Sequence, residues 1–265
     1  MAQGKIDFQG VHFEDFNAAS PNISPEVWQG CFSLGVAAVS KELEGTGTDA
    51  NQATAYATTF MGGDAKSFQE DCQDPQQMAD KGRLNPQTIT DPRLIVAFGQ
   101  SEPGMARVPV SFALSGDVVT GSESGQRIKA MTGLKSWRTL LRIATHPDWQ
   151  GRGIASGEGY MTFRTARLLS SAAGYTHPSQ GESGARLLKH WGMPDDGGRQ
   201  EVRPYGPHGP VVTQHRHAGL NARLVAHSIA QQAGESSDFQ RLVDQYSPLN
   251  GIAKAFSEGT DPNSI

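Results

Sequence analysis

Residues 146–156 read HPDWQGRGIAS, and the way this stretch folds decides how the rest of the chain is read. Two glycines, an arginine and a glutamine stand directly before a segment whose composition turns helical. Upstream, Trp137–Thr145 (WRTLLRIAT) has the apolar and β-branched content of a strand. Downstream, the helical pattern extends to about residue 167. The first N–H groups of a helix have no intrahelical partner, and the helix dipole adds partial positive charge at that end. Glycine lets such a backbone approach a ligand closely and adopt positive φ. A strand–turn–helix of this composition therefore suits an anion, above all a phosphate or pyrophosphate.

Two phosphate loops are excluded by spacing. The chain has no G-x-x-x-x-G-K-[ST], so it is not a P-loop NTPase. Gly151 and Gly153 are followed by Ser156, with Gly157 one place late, so G-x-G-x-x-G is absent too. What stands in its place is Gln150-x-x-Gly153-x-Ala155, directly after Ile143-Ala144-Thr145-His146-Pro147.

Working outward, residues 6–16 partly alternate and suggest a first strand. Ser24, Pro25 and Glu26 form a helix start, and apolar residues at helical spacing run from Val27 to Leu43, with Gly45 as the stop. Residues 45–90 are polar, with short helices expected near 50–60 and 65–80. Residues 93–99 (RLIVAFG) and 107–114 (RVPVSFAL) read as strands around a turn, and Pro109 points to an edge or a bulge. Residues 120–133 read as flexible. A strand is expected over 168–176, a short helix over 185–191 (ARLLKHW), a loop over 194–212, and helices over 220–233 and 239–246. Alternating strands and helices predict a mixed α/β fold with one central sheet. No internal repeat or low-complexity tract is present.

The segment RIATHPDWQGRGIAS resembles the GNAT superfamily of acetyl-CoA-dependent N-acetyltransferases, whose pyrophosphate loop has the form Q/R-x-x-G-x-G/A after a strand often ending in V-x-P or V-H-P. The flanking order is similar: residues 93–114 look like the family's second and third strands, and ARLLKHWGM (185–193) looks like its helix ending in a Gly-aromatic pair, with Met193 where Phe is usual. The likeness covers roughly residues 5–195 and is most specific at 142–156. More faintly, RIATHP and the later Gly174-Tyr175-Thr176 resemble the tRNA cytidine acetyltransferase branch.

The resemblance implies a GNAT-like mixed central sheet flanked by helices over residues 1–215, with a C-terminal helical extension over 216–265. It implies acetyl-CoA as co-substrate and direct attack of an amine on the thioester. The amides of Gly151, Arg152, Gly153, Ile154 and Ala155 would hold the pyrophosphate, and Gln150 would brace the loop. The backbone of Ile143 and Thr145 would meet the pantetheine. Arg152, with Lys135 or Arg138, would face the adenosine phosphates.

The usual catalytic positions are vacant. Many members place a Glu on the strand that here is Trp137–Thr145, which holds no carboxylate. Many place a Tyr four residues before the Gly of the Gly-aromatic pair, where Leu188 stands. The candidates to move the proton are His146, Tyr175 and His190, with Asp148 as a further carboxylate. Gly157 and Gly159 should weaken the helix after the turn, each by about 0.5–1 kcal/mol relative to Ala. The alternative is a catalytically inactive GNAT-like module that binds CoA or a partner.

Composition sets outer limits. The chain has 265 residues, enough for one large domain. A net charge of −4 does not suit a protein that coats nucleic acid, because such binding neutralises many phosphates. At this length and acidity the chain is not expected to supply the helicase-like and RNA-binding parts of the cytidine branch, so nucleic acid is not expected. The partner is expected to be a small-molecule or protein amine acceptor, and a homodimer is possible. Two cysteines, Cys31 and Cys72, make no disulfide framework. No signal peptide and no apolar run of membrane-spanning length is found, so no membrane is expected and the cytoplasm is the expected location. His208, His215 and His217 fall close together, with His227 further on, but no Cys or acidic residue stands at metal-ligand spacing, and no metal is expected. Arg127, Lys129, Lys135, Arg138 and Arg142 read as a solvated basic face.

Overall fold

The apolar alternation on either side of residue 100 folds into three long antiparallel strands, to which four more are added. A computed structural model describes residues 9–76, 87–100, 102, 104–120, 130, 137–163, 169–176, 187, 190–191, 200–203, 211–221, 229–231, 233–234 and 236–246. The strands are β1 (His12–Asn17), β2 (Gln87–Gly99), β3 (Val108–Thr120), β4 (Trp137–Thr145), β5 (Leu169–Thr176), β6 (Gln200–Arg203) and β7 (Val211–Asn221). They form one sheet in the order β1-β2-β3-β4-β5-β7-β6. Every pairing is antiparallel except β4 with β5.

Helices cover both faces. The first three are α1 (Pro25–Glu44), α2 (Ala50–Phe60) and α3 (Ala65–Gln73). They pack Trp28, Leu34, Met61 and Phe68 on Leu94, Val96, Phe112 and Leu114. On the other face lie α4 (Ile154–Phe163) and α5 (Ser237–Tyr246). These set Ile154, Phe163, Phe239 and Leu242 against Ile95, Ala97, Ala113 and Leu140. Successive strand residues point to opposite faces, so a strand covered on both sides reads as an unbroken apolar run, as LIVAF does in β2. The mixed α/β architecture is as expected.

Local signals account for the helix ends, with two differences. Ser24 occupies the N-cap of α1, yet its side chain caps no amide; it bonds the Glu26 carboxylate instead, lowering that group's pKa. Gly45 ends α1 in the right-handed region (φ −60°), so its achiral freedom is not used there. In the polar stretch, Asp49 accepts from the amides of Asn51 and Gln52 at 2.9 and 3.2 Å, and Asp64 from Ser67 at 2.7 Å. These caps start α2 and α3 where pattern alone is faint.

Pro109 sits at a bulge of an interior strand: Phe98 pairs with Pro109 and Ala97 with Ser111, leaving Val110 extra. The region 194–212, expected as loop, contributes β6 and the start of β7. Leu220 and Asn221, expected at the head of a helix, close β7, while 229–231 and 233 are helical. β7 runs unbroken through residues 215 and 216, where the helical extension was expected to begin. Most of the flexible stretch expected at 120–133 lies outside the described residues, as do 164–168 beyond α4.

Candidate functional site

The parallel pair β4–β5 holds together only over Arg138, Thr139 and Leu140, which face Ser170, Ser171 and Ala172. Beyond that point β4 continues to Thr145 while β5 continues against β7 to Thr176. The two strands part, and residues 141–145 lose their neighbour on one side. The His146 N–H donates to the Val110 carbonyl at 2.8 Å, and Thr145 is in register with Ser111. The alternation of an antiparallel ladder then assigns Ala144 and Arg142 to the bonds with β3. The amide and carbonyl groups of Ile143 and Thr145 point into the opening.

The glycine turn continues from this opened end. His146 caps a 3-10 turn (Pro147–Trp149), its Nδ1 accepting from the Asp148 N–H at 3.3 Å. Gln150 reaches back, and its Nε2 donates to the Thr145 carbonyl at 3.1 Å. Gly151 and Gly153 take φ of +77° and +80°, a backbone that other residues adopt at a cost. The Gly153 carbonyl accepts from Ser156 and Gly157 and so starts α4. Among the described residues, no acceptor is paired with the N–H of Gly151, Arg152, Gly153, Ile154 or Ala155. The exposed Arg152 lays its guanidinium 4.4 Å from the centroid of the Trp149 ring, which holds a cation beside these amides.

Glu158 lies four residues into α4 and is wholly buried. Its Oε2 accepts from the Ser111 hydroxyl at 2.8 Å. Its Oε1 has no partner among the described residues. Ser111 Oγ is also 2.8 Å from Thr145 Oγ1 and 2.9 Å from the Ala144 carbonyl. Burial pushes the Glu158 carboxyl well above the usual carboxylate range, and the Ser111 hydrogen bond opposes this only in part. A chain of oxygens thus runs from the half-buried Thr145 at the opening to a buried carboxyl.

The candidates read from sequence are not gathered in one place. His146 is at the mouth of the opening, engaged as a cap, with the exposed Asp148 carboxylate 3.7 Å from its Nδ1. Tyr175 lies on β5 beyond the last residue paired with β4, opposite Thr213; its side chain is outside the described residues. His190 is exposed, beside a fully buried Trp191 that donates from Nε1 to Ser156 Oγ at 3.3 Å. Leu188 and Met193 lie outside the described residues. Glu158 was missed because a Glu between glycines reads as surface. The signal was available: it is the sole charge in IASGEGYMTF, a helix buried along nearly its whole length.

The basic face requires correction. Arg138 and Arg142 are buried. Arg138 donates from Nη2 to Asp91 Oδ2 at 2.7 Å and from Nη1 to the Asp91 carbonyl at 3.1 Å; its Nε stands 3.0 Å from Asp117 Oδ1. Arg142 donates to the Phe60 carbonyl at 3.0 Å and lies over the Phe60 ring. The register shift at Leu141 puts the two arginines on opposite faces of β4, and each meets partners within the fold, so neither is free for a phosphate. Arg127, Lys129 and Lys135 lie outside the described residues, as do His208 and His227. His215 and His217 fall on β7, facing Ala173 and Ser171, with side chains outside the description.

No protein-family model and no curated protein sequence matches the chain. Among the described residues, no helix is long and apolar enough to cross a membrane.

Proposed function

We propose that the chain is an acetyl-CoA-dependent N-acyltransferase with a GNAT-like core. It moves an acetyl group to an amine acceptor by direct attack, without a covalent enzyme intermediate. The observation that carries this reading is the parting of β4 from β5 immediately before a turn of unpartnered amides. One feature suits the pantetheine, an extended chain of amides that pairs like a strand. The other suits the pyrophosphate. Both fall within fifteen consecutive positions, 141–155.

In this reading the amides of residues 151–155 bind the pyrophosphate and Arg152, stacked on Trp149, adds charge. Gln150 couples the turn to the strand end through the Thr145 carbonyl. Ile143 and Thr145 orient the thioester by backbone pairing. Rate is gained by positioning, by a path for the amine's proton, and by stabilising the oxyanion. The acceptor is an amine on a small molecule or on a protein.

Calorimetric titration of acetyl-CoA into the wild type, Gly153→Asp and Arg152→Glu tests the reading. Micromolar binding is expected for the wild type. Gly153→Asp, which puts a carboxylate among the amides, should abolish it. Arg152→Glu, an exposed change that leaves the turn intact, should weaken it by about tenfold, the worth of one charge-assisted contact. A folded wild type that binds no acetyl-CoA rejects it.

A further inference from the structure

The buried carboxyl of Glu158 has no structural explanation in the fold. A charged or polar group in an apolar interior costs free energy unless it is partnered, and Oε1 has no partner among the described residues. Its one hydrogen bond among the described residues leads outward through Ser111 to Thr145, at the opening between β4 and β5.

We propose that Glu158 is the proton store of the transfer reaction, and that Ser111 and Thr145 carry protons between it and the thioester. This rests on the acyltransferase reading above. It supplies the carboxyl that β4 lacks from the opposite partner, the helix packed on that strand.

The geometry admits two hydrogen-bond directions that differ by one proton. Ser111 has a single hydroxyl hydrogen and three oxygen neighbours. With Glu158 ionised, Ser111 donates to Oε2 and Thr145 donates to Ser111. With Glu158 protonated, the carboxyl donates to Ser111, whose hydrogen turns to Thr145 Oγ1 or to the Ala144 carbonyl. Passing a proton along the chain therefore requires one hop between neighbouring oxygens at each 2.8 Å link, and hydroxyl rotation then resets the direction.

The reaction balances. The acceptor nitrogen bonds to the acyl carbon and the carbon–sulfur bond breaks. Thr145 gives its hydroxyl proton to the departing sulfur, Ser111 replaces it, and Glu158 replaces that of Ser111. The proton shed by the nitrogen returns along the same three groups to the Glu158 carboxylate. Amine and thioester become amide and thiol, and the protein is unchanged.

Among the described residues, no charged group pairs with Glu158. Helix α4 packs on β2, β3, β4 and α5. Of their charged groups, Arg93 is held by Asp15, while Arg138 binds Asp91 and Asp117. Arg142 leaves the opposite face of β4 for Phe60, and on α5 Asp238 pairs with Arg241. Across the sheet, Cys31 on α1 is held protonated by its own burial, and Glu158 adds to that effect. Burial favours the protonated form of a carboxyl so placed, and the Ser111 contact gives its proton a path outward.

The test uses the full chain as wild type, Glu158→Gln, Ser111→Ala and Thr145→Val. Acetyl-CoA binding is followed by calorimetry, and thiol release from acetyl-CoA is followed against pH with water, lysine ethyl ester and spermidine as acceptors. The protonated carboxyl is followed by its infrared carbonyl band. Acetyl-CoA affinity should stay within about threefold in all variants, because the binding contacts are backbone ones. Turnover should fall about a hundredfold in each, the ordinary worth of positioned proton transfer. The limb of the pH profile set by Glu158 should vanish in Glu158→Gln. The infrared band should be absent from Glu158→Gln, shifted in Ser111→Ala, and retained in Thr145→Val. A Glu158→Gln protein that turns over with the wild-type rate and pH profile overturns the relay and leaves the acyltransferase reading standing. A wild type that binds acetyl-CoA but releases no thiol with any acceptor also overturns it, whereas failure to bind removes both. If Glu158→Gln does not fold, Thr145→Val at its half-buried position decides the kinetic arm.

Discussion

Gly159 and Trp191 are packed with no room for a further atom between them: a Cβ on Gly159 would stand 2.6 Å from Cζ2 of the indole. The weakening expected of glycine in α4 is therefore accepted for the sake of a ring that also stacks edge-on with Phe163 at 6.3 Å. Gly159→Ala should destabilise the protein. Helix propensity gains about 0.5–1 kcal/mol, but overpacking a filled core costs about 1–3 kcal/mol. Urea unfolding should show a net loss of about 1–2 kcal/mol. Trp191→Phe in the same chain should relieve part of it, as non-additivity of touching residues requires.

Arg138→Ala should destabilise through Asp91 and Asp117 together. Asp91 has positive φ (47°), and Arg138 holds both its carboxylate and its carbonyl. Loss of one member of a buried pair costs about 3–5 kcal/mol, and the half-exposure of Asp91 reduces this to about 2–3 kcal/mol. Asp117 is held above the usual carboxylate range, mainly by burial, with Arg138 opposing the shift. An acid raised on folding binds its proton more tightly in the folded state, so its ionisation weakens the fold as pH rises. Without Arg138 that ionisation costs more. The deficit of the variant should be larger near about pH 7 than near about pH 4, as thermal unfolding at the two values would show.

Glu158→Gln should have a pH-dependent effect of the opposite sign. The wild-type carboxyl is raised by burial, so its stabilising protonation is complete below the unfolded carboxylate pKa and is lost as pH rises through the folded one. The Gln side chain does not titrate. Unfolding midpoints of the two proteins should therefore converge in acid and diverge in alkali, with the variant the more stable there.

Gln150→Ala should separate binding from stability. Its Nε2–Thr145 contact lies on an exposed side chain, so unfolding should change by no more than about 1 kcal/mol. Acetyl-CoA affinity should fall several-fold, because the turn loses its tie to the strand end. Calorimetry and urea unfolding of the same sample would check both.

Both cysteines should be silent toward thiol reagents in the folded protein. Burial pushes the Cys72 thiol up to about 12 and that of Cys31 well above its ordinary value. The thiolate is the reactive form, and at about pH 8 only about one Cys72 in ten thousand carries it. A colorimetric thiol assay should read nothing from the native chain and two thiols after denaturation. Thiol release from acetyl-CoA is thus measurable without background from the protein.

Much of the local structure was legible. Pro25, Glu26 and the apolar spacing to Leu43 located α1, and LIVAF and TLLRIAT located β2 and β4, because near neighbours set those periods. The helices of the polar stretch were placed faintly, although Asp49 and Asp64 mark their starts by direct side-chain bonds to amides. β6 and the head of β7 were missed. The register partners of β7 on β5 are remote in sequence, and pairing at that distance leaves little local pattern; β6 pairs with nearby β7, but is only four residues long and its apolar content is the single Val202.

By itself, then, the sequence determined the turn at Gly151 and Gly153, the helix that follows it and the strand before it, since positive φ, capping and apolar periodicity are properties of adjacent residues. Only the tertiary structure decided that β4 and β5 part after Leu140. It also decided that Arg138 and Arg142 turn inward, and that Glu158 meets Ser111 and Thr145. The depth of a charge, and the oxygens it faces, depend on which elements pack together across tens of residues, and no local rule carries that information.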